Sequence, residues 1–372
     1  MESRLDAVID KAIGENLIVG TVVMVMKDGK PAYQRIAGFA DREAGRKMTE
    51  DTIFRLASVT KPLVAATTLA MIERGILGFD RNITEWLPHF RPRLLDGYTP
   101  EITIRHLLTH TAGFGYPTAA PDDPYVDAGI SGGLEDQGMS MEENLKRIAE
   151  VPLFFAPGTG WRYGVSLDIL GEIVGRAHGG TLGDAVAHYV TGPLGMVDTA
   201  FSVTDRARLA AAYADSDHGA VLMDDPHQLK TGPGAGMVFS PSRIFRPEAF
   251  QSGGAGMAGT AGDFMRFLET IRTGGGPILK ADTVEAALAN QVGEMRDADE
   301  PGAGFGYLSG IVVDPERTGI PYSVGTARWG GVYGHNWFMD RKAGISAFDF
   351  TNTAVEGCIG AFPKDITRAV YG

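Results

Sequence analysis

From Pro62 to Ile72 the chain carries no charge, and Leu63, Val64, Ala66, Thr67, Ala70 and Met71 fall about one turn apart. A helix this apolar has little face to offer water, so the run predicts a largely buried helix that reaches its first charge at Glu73. The rest of the chain must supply core around it. Just ahead stands Phe54-Arg55-Leu56-Ala57-Ser58-Val59-Thr60-Lys61, which sets a hydroxyl and an amine three residues apart at the mouth of that helix.

Residues i and i+3 share a helix face, so Ser58 and Lys61 are expected within hydrogen-bond reach. A lysine at the mouth of a buried helix is partly desolvated, which disfavours the ammonium and lowers its pKa. Such an amine can take a proton from serine near neutral pH. The helix N-terminus adds a positive dipole end that favours a developing oxyanion. Taken alone, Ser-x-x-Lys is a common tetrapeptide, better explained by Ser58 as a helix cap and Lys61 in solvent.

The core such a helix demands is available, since 44% of the 372 residues are hydrophobic. The length suggests two domains, or one large domain with an insertion, at about 100 to 200 residues each. The net charge of -12 is spread along the chain and argues against a nucleic-acid or anionic-membrane partner, either of which would want a basic patch. No stretch approaches the roughly 18 uninterrupted apolar residues of a membrane span, and charges stand where a signal peptide needs its apolar run. The single cysteine, Cys358, excludes an internal disulfide and a thiolate metal cluster. A soluble, cytoplasmic protein without metal or cofactor is expected.

In chain order, residues 3–14 give an amphipathic helix, and Thr21 to Met26 with Pro31 to Ala37 give a hairpin about Asp28-Gly29. Short helices and loops follow, including a helix over Thr103 to Thr109, a long loop over 117–141 and an irregular stretch over 213–256. Pro157-Gly158-Thr159-Gly160-Trp161-Arg162-Tyr163-Gly164 is a glycine-rich turn leading into a helix, Thr181 and Asp184 cap another, and Thr260 to Arg272 form a further one. Strands return at Phe305 to Val313, Ser323 to Trp329, Trp337 to Asp340 and Gly344 to Thr351, before a closing helix over Pro363 to Tyr371. The expected architecture is α+β: an antiparallel sheet flanked by helices and built from residues 1–85 and 290–372, with a mostly helical, loop-rich region at 86–289 inserted between its halves.

Two further motifs read as decoys. Gly129-Ile130-Ser131-Gly132-Gly133 matches G-x-S-x-G, but that elbow requires a strand before it and a helix after it, and here Pro121 to Asp127 precede it. His106 and His110 have the spacing of a zinc helix, yet Leu107 stands where the glutamate belongs. Three features agree with Ser58 and Lys61 instead. Tyr163 lies in a tight turn from which its phenol can approach the serine, with Lys61 expected to depress its pKa by charge. Trp329-Gly330-Gly331-Val332 ends a strand, where two glycines permit close approach of a ligand. A backbone N–H there and that of Ser58 would make a two-donor oxyanion hole.

Ser58-Val59-Thr60-Lys61, Tyr163 and Trp329-Gly330-Gly331, in this order and at these separations, resemble the family VIII carboxylesterases, relatives of class C β-lactamases and penicillin-binding proteins. The resemblance extends over nearly the whole chain through Leu107-Leu108-Thr109-His110-Thr111-Ala112-Gly113, Phe155-Ala156-Pro157-Gly158, Pro193-Leu194-Gly195-Met196, Gly253-Gly254-Ala255-Gly256-Met257 and Gly330-Gly331-Val332-Tyr333-Gly334-His335. It implies a β-lactamase-like fold with Ser58 as nucleophile, Lys61 and Tyr163 as the base pair, and the amides of Ser58 and Val332 as oxyanion hole. Trp329, Gly330, Gly331, His335 and Tyr116 are expected to border a small-molecule ester. Where class C β-lactamases carry Tyr-x-Asn, the third residue here is Val165, and where they carry Lys-Thr-Gly this chain has Trp329-Gly330-Gly331. An indole cannot replace the charge that recognises a substrate carboxylate, and Arg328 points to the opposite strand face from its neighbour. The expected reaction is hydrolysis of short-chain or aryl esters. A β-lactam hydrolase or D-amino-acid peptidase of the same fold and a catalytically silent binding module are the alternatives.

Overall fold

The computed structural model describes residues 1–118, 120, 122–232, 235–296 and 300–372. Of the expected loop at 117–141 and irregular stretch at 213–256, residues 119, 121, 233 and 234 lie outside the described residues, and with them Pro121 of the decoy argument.

An eight-stranded antiparallel sheet draws its strands from both parts of the chain. Gly20–Lys27, Lys30–Asp41 and Arg46–Lys47 form one side, and Ala303–Phe305, Gly310–Val312, Ala327–Gly331, His335–Asp340 and Ile345–Thr351 the other. The two halves join where Gly20–Lys27 pairs with Ile345–Thr351, Val23 opposite Asp349 and Met24 opposite Phe348. Side chains alternate across this sheet. Val23, Val25, Phe338 and Ala347 face one way, against Leu5 and Ile9 of helix Glu2–Gly14 and Phe362 and Ile366 of helix Ala361–Tyr371. Val22, Trp337, Phe348 and Phe350 face the other way, into the larger core that surrounds the uncharged helix.

That helix is Thr60–Glu73, and every residue from Thr60 to Met71 is buried. Its two adjacent threonines are accommodated locally, the Thr67 and Thr68 hydroxyls donating to the carbonyls of Leu63 and Val64 at 2.9 Å each. No buried donor is left over from them. Ser58 is not in the helix proper but in a single tight turn, Ala57–Val59, before it.

Several boundaries differ from the sequence expectation. The segment expected as one strand from Phe305 to Val313 is two, split by a turn over 306–309. The stretch expected as irregular holds a two-stranded arm, His227–Gly232 with Ala235–Phe239, and the long loop holds a short helix, Pro124–Asp127, capped by the Asp123 carboxylate. Side-chain periodicity over such short spans is too brief to register as pattern, and the arm forms a small sheet of its own instead of extending the large one. No helix among the described residues is long and apolar enough to cross a membrane.

Candidate active site

The Ser58 turn is held by its flanks. Ile53–Arg55 pairs with Ala258–Thr260, and the Leu56 N–H donates to the Met257 carbonyl at 2.9 Å. Between these anchors Ala57 has φ +45°, a conformation that costs a non-glycine residue on the order of 1–3 kcal/mol and is kept where surroundings over-determine it. From this turn Ser58 faces a cleft of about 930 Å³, whose walls include Tyr116, Leu134, Trp161, Tyr163, Met237 and Trp329.

Lys61, one turn on, is 3% exposed. Its Nζ donates to Ser58 Oγ at 3.1 Å and to the Gly254 carbonyl at 2.7 Å. Burial brings its pKa down to about 7, opposed by the charge of Asp168. The Tyr163 hydroxyl donates to Ser58 Oγ at 2.8 Å, so the serine oxygen is met from two sides. Tyr163 reaches this place because the Arg162 N–H bonds the His110 carbonyl at 3.0 Å and the Val165 N–H bonds the Gly115 carbonyl at 3.1 Å. The intervening Gly164 lies so close to that neighbour that a Cβ would stand 2.7 Å from the carbonyl oxygens of both Phe114 and Gly115. The expected depression of the Tyr163 phenol by Lys61 is overturned: burial pushes the phenol up, and Ser58 and the Trp329 side chain only partly offset this. Desolvation of the phenol outweighs any effect of the nearby amine.

Trp329 stands beside the pair, its ring 5.1 Å from that of Tyr163 and 5.3 Å from that of Phe305. Its strand is paired on the outer side only at Ala327 and Arg328, so the Trp329 to Gly331 edge has no strand partner there among the described residues. Gly330 and Val332 line the cleft along this edge, and Tyr116, its ring 5.3 Å from that of Tyr163, and Arg328, tied to Glu300, line it too. The Arg296 guanidinium lies 5.2 Å from the Trp329 ring centre, and it too bonds Glu300, at 2.5 Å.

Two expected substrate contacts are placed elsewhere. His335 is 1% exposed, with Nε2 2.7 Å from the Arg55 carbonyl and its ring against Phe54 and Phe350. It braces the strand entering the Ser58 turn. Gly331 gives close approach not to a ligand but to that same turn, since a Cβ there would lie 2.3 Å from the Leu56 carbonyl oxygen. Gly331→Ala is therefore expected to cost about 1–3 kcal/mol, as overpacking does, and to lower activity by moving Trp329 relative to Ser58. Denaturant midpoints and ester turnover measured together check this.

The decoys are occupied otherwise. Ser131 is buried, its Oγ accepts the Gly133 N–H at 3.2 Å, and its backbone exchanges hydrogen bonds with Asn144. His106 accepts the Thr103 N–H on Nδ1 in a capping box, and the buried His110 ring packs 4.8 Å from that of Tyr163.

Asp168 escaped the sequence reading. It is 1% exposed, five residues after Tyr163 in helix Ser166–His178, and its Oδ1 accepts from the Ser252 hydroxyl at 2.5 Å and the Gly254 N–H at 3.2 Å. The available signal was a carboxylate among Leu167, Ile169 and Leu170, where a solvent-facing position is not on offer.

A serine facing the cleft with a buried lysine behind it, a tyrosine on the same oxygen and an antiparallel sheet whose open edge forms the cleft wall define a β-lactamase-type hydrolase fold. A beta-lactamase family model matches residues 5–359, and the chain belongs to that family, within its family VIII carboxylesterase branch. It is 48% identical to esterase EstB of Burkholderia gladioli over all of this chain and 95% of that protein. It is 28% identical to the lovastatin esterase of Penicillium rubens, covering 91% of this chain and 90% of that one. The solved structure of EstCE1, described as a hydrolase with promiscuous acyltransferase activity, superposes with a TM-score of 0.96 at 40% identity, covering 100% of this chain and 98% of that one.

Proposed function

We propose that this chain is a cytoplasmic serine carboxylesterase that hydrolyses short-chain or aryl esters through an acyl-enzyme on Ser58. The observation that carries the reading is the convergence of Lys61 Nζ and the Tyr163 hydroxyl on Ser58 Oγ at 3.1 and 2.8 Å. With its pKa near 7, Lys61 is available as a neutral amine to take the Ser58 proton as Oγ attacks the ester carbonyl. The amides of Ser58 and Val332 face the oxyanion. The phenol of Tyr163, kept protonated by burial, hands its proton to the departing alkoxide and is reprotonated from Lys61. Water then attacks the acyl carbon, losing its proton by the same route, and the acid leaves as Ser58 is restored. The free thiol of Cys358 accords with a reducing compartment.

Ester substrates are favoured over β-lactams by Trp329. Its indole occupies the strand position from which a cation would meet a substrate carboxylate, and the nearby guanidiniums of Arg296 and Arg328 are engaged with Glu300. A panel of p-nitrophenyl acetate, butyrate and longer esters, run beside nitrocefin, tests the reading. Turnover of the short esters is expected to exceed nitrocefin turnover by about 10²-fold or more, the size of effect that one missing charge-assisted contact produces at about 3 kcal/mol. Comparable rates on both would reverse the assignment in favour of β-lactam hydrolysis.

A further inference from the structure

The loop that receives Lys61 is itself held by a buried acid. The Gly254 carbonyl accepts from Lys61 at 2.7 Å while the Gly254 N–H donates to Asp168 Oδ1 at 3.2 Å, so one residue links amine and carboxylate. The Ser252 hydroxyl donates to the same Oδ1 at 2.5 Å and accepts from the Ala255 N–H at 2.9 Å, which closes the loop around that oxygen. Asp168 Oδ2 has no hydrogen-bond partner among the described residues and less than 1 Å² of exposed surface. It lies 2.6 Å from where a Cβ on Gly254 would stand, a point 2.9 Å from the Tyr116 hydroxyl. Only glycine at 254 leaves this acid its space beside the amine.

We propose that Asp168 is a positioning residue for the esterase reaction, holding the Gly254 carbonyl against Lys61 through Ser252 and the Gly254 N–H and lending its negative charge to the ammonium that forms when Lys61 takes the proton of Ser58. The step is a transfer of one proton from Ser58 Oγ to Lys61 Nζ, so it creates a buried cation, and a buried cation without a counter-charge is costly. The groups that face Lys61 are Ser58, Tyr163, Tyr116, His110 and Asp168. Burial keeps the phenols of Tyr163 and Tyr116 and the imidazole of His110 in their neutral forms near pH 7, which leaves Asp168 as the charge that reaches the amine. Behind Asp168, burial pushes its carboxyl up, and Lys61, Ser252, the Gly254 N–H and Arg243 act to keep it ionised. Arg243 in turn donates to the Phe250 carbonyl at 2.6 Å.

This inference rests on Ser58 and Lys61 acting as proposed above. Its test is the pH profile of kcat/KM for p-nitrophenyl butyrate in Asp168→Asn. Asparagine retains an oxygen for Ser252 and Gly254 but carries no charge, so the ammonium of Lys61 loses its support and the amine stays neutral to lower pH. The acid limb is expected to move down by about one pH unit or more, the effect of one nearby opposite charge. Asp168→Ser supplies a smaller neutral residue should the amide not fit, and fluorophosphonate labelling reports that the site is folded. Ser252→Ala keeps the carboxylate and is expected to lower kcat with a limb near the wild-type position. An unmoved limb in a folded neutral variant overturns the proposal, as does the same downward shift in Ser252→Ala, which would make the limb a matter of loop geometry. Loss of Ser58-dependent turnover in the wild-type enzyme would instead refute the esterase reading itself.

Discussion

Ser58→Ala is expected to remove p-nitrophenyl butyrate hydrolysis by at least about 10⁴-fold, in line with the loss of a nucleophile from an acyl-transfer site. The expectation rests on position as much as on chemistry. Ser58 Oγ is the one atom on which Lys61 and Tyr163 both converge, and it lines the cleft at the foot of Trp329. Ser131, the serine of the competing motif, is not placed to substitute for it, being buried and bound to its own loop. Removing a small hydroxyl from a turn held by Met257 and by the paired strand Ile53–Arg55 should leave the fold intact. The check is twofold: steady-state turnover, and intact mass after exposure to a fluorophosphonate, which is expected to add one adduct to the wild type and none to the variant. Retention of most activity, or labelling at another residue, would mean that the acylated group lies elsewhere.

What the amino-acid pattern reveals here is the chemistry that depends on local spacing, and what it hides is the chemistry that depends on loops meeting. The uncharged helix and the adjacent Ser58 and Lys61 are legible because three residues on one turn fix a distance. The two-ended sheet is legible because its central strands are apolar runs closed by turns at both ends of the chain, buried almost throughout. Tyr163 is placed by the repeated glycines around it, and Gly164 shows why they are needed, since its backbone lies against the carbonyls of Phe114 and Gly115. Gly331 is expected at the ligand because glycine permits close approach, and His335 because it belongs to the motif that carries the family resemblance. Strand alternation alone does not say which neighbour covers each face, and the covering neighbour proves to be the Ser58 turn. Asp168 was hidden for the opposite reason: its partners Ser252 and Gly254 lie more than eighty residues away.

Lys61→Met is expected to lower kcat/KM by about 10²–10⁴-fold, the usual contribution of a positioned general base, and to abolish the acid limb near pH 7. Methionine fills the same volume with an apolar chain, so the variant separates the amine's proton chemistry from its bulk. In the wild type, activity should rise as pH passes about 7 because only the neutral amine accepts the serine proton. Tyr163 should contribute no limb in this range, its phenol being pushed up by burial. Stability gives a second reading of the same group. The folded pKa of about 7 lies below the 10.5 of a free lysine, so between these values this group binds more protons in the unfolded chain, and its contribution to stability rises with pH across that window. The methionine variant should lose that rise. Against this, it leaves the Gly254 carbonyl without its donor, a loss of about 1–3 kcal/mol for a buried acceptor, so it should gain relative stability at acid pH and fall behind above pH 10. Chemical denaturation at pH 6 and pH 10 with both proteins measures the crossing. Persistence of an acid limb near pH 7 in Lys61→Met would show that another group supplies the base, and parallel stability profiles would show that Lys61 is not desolvated as its surroundings require.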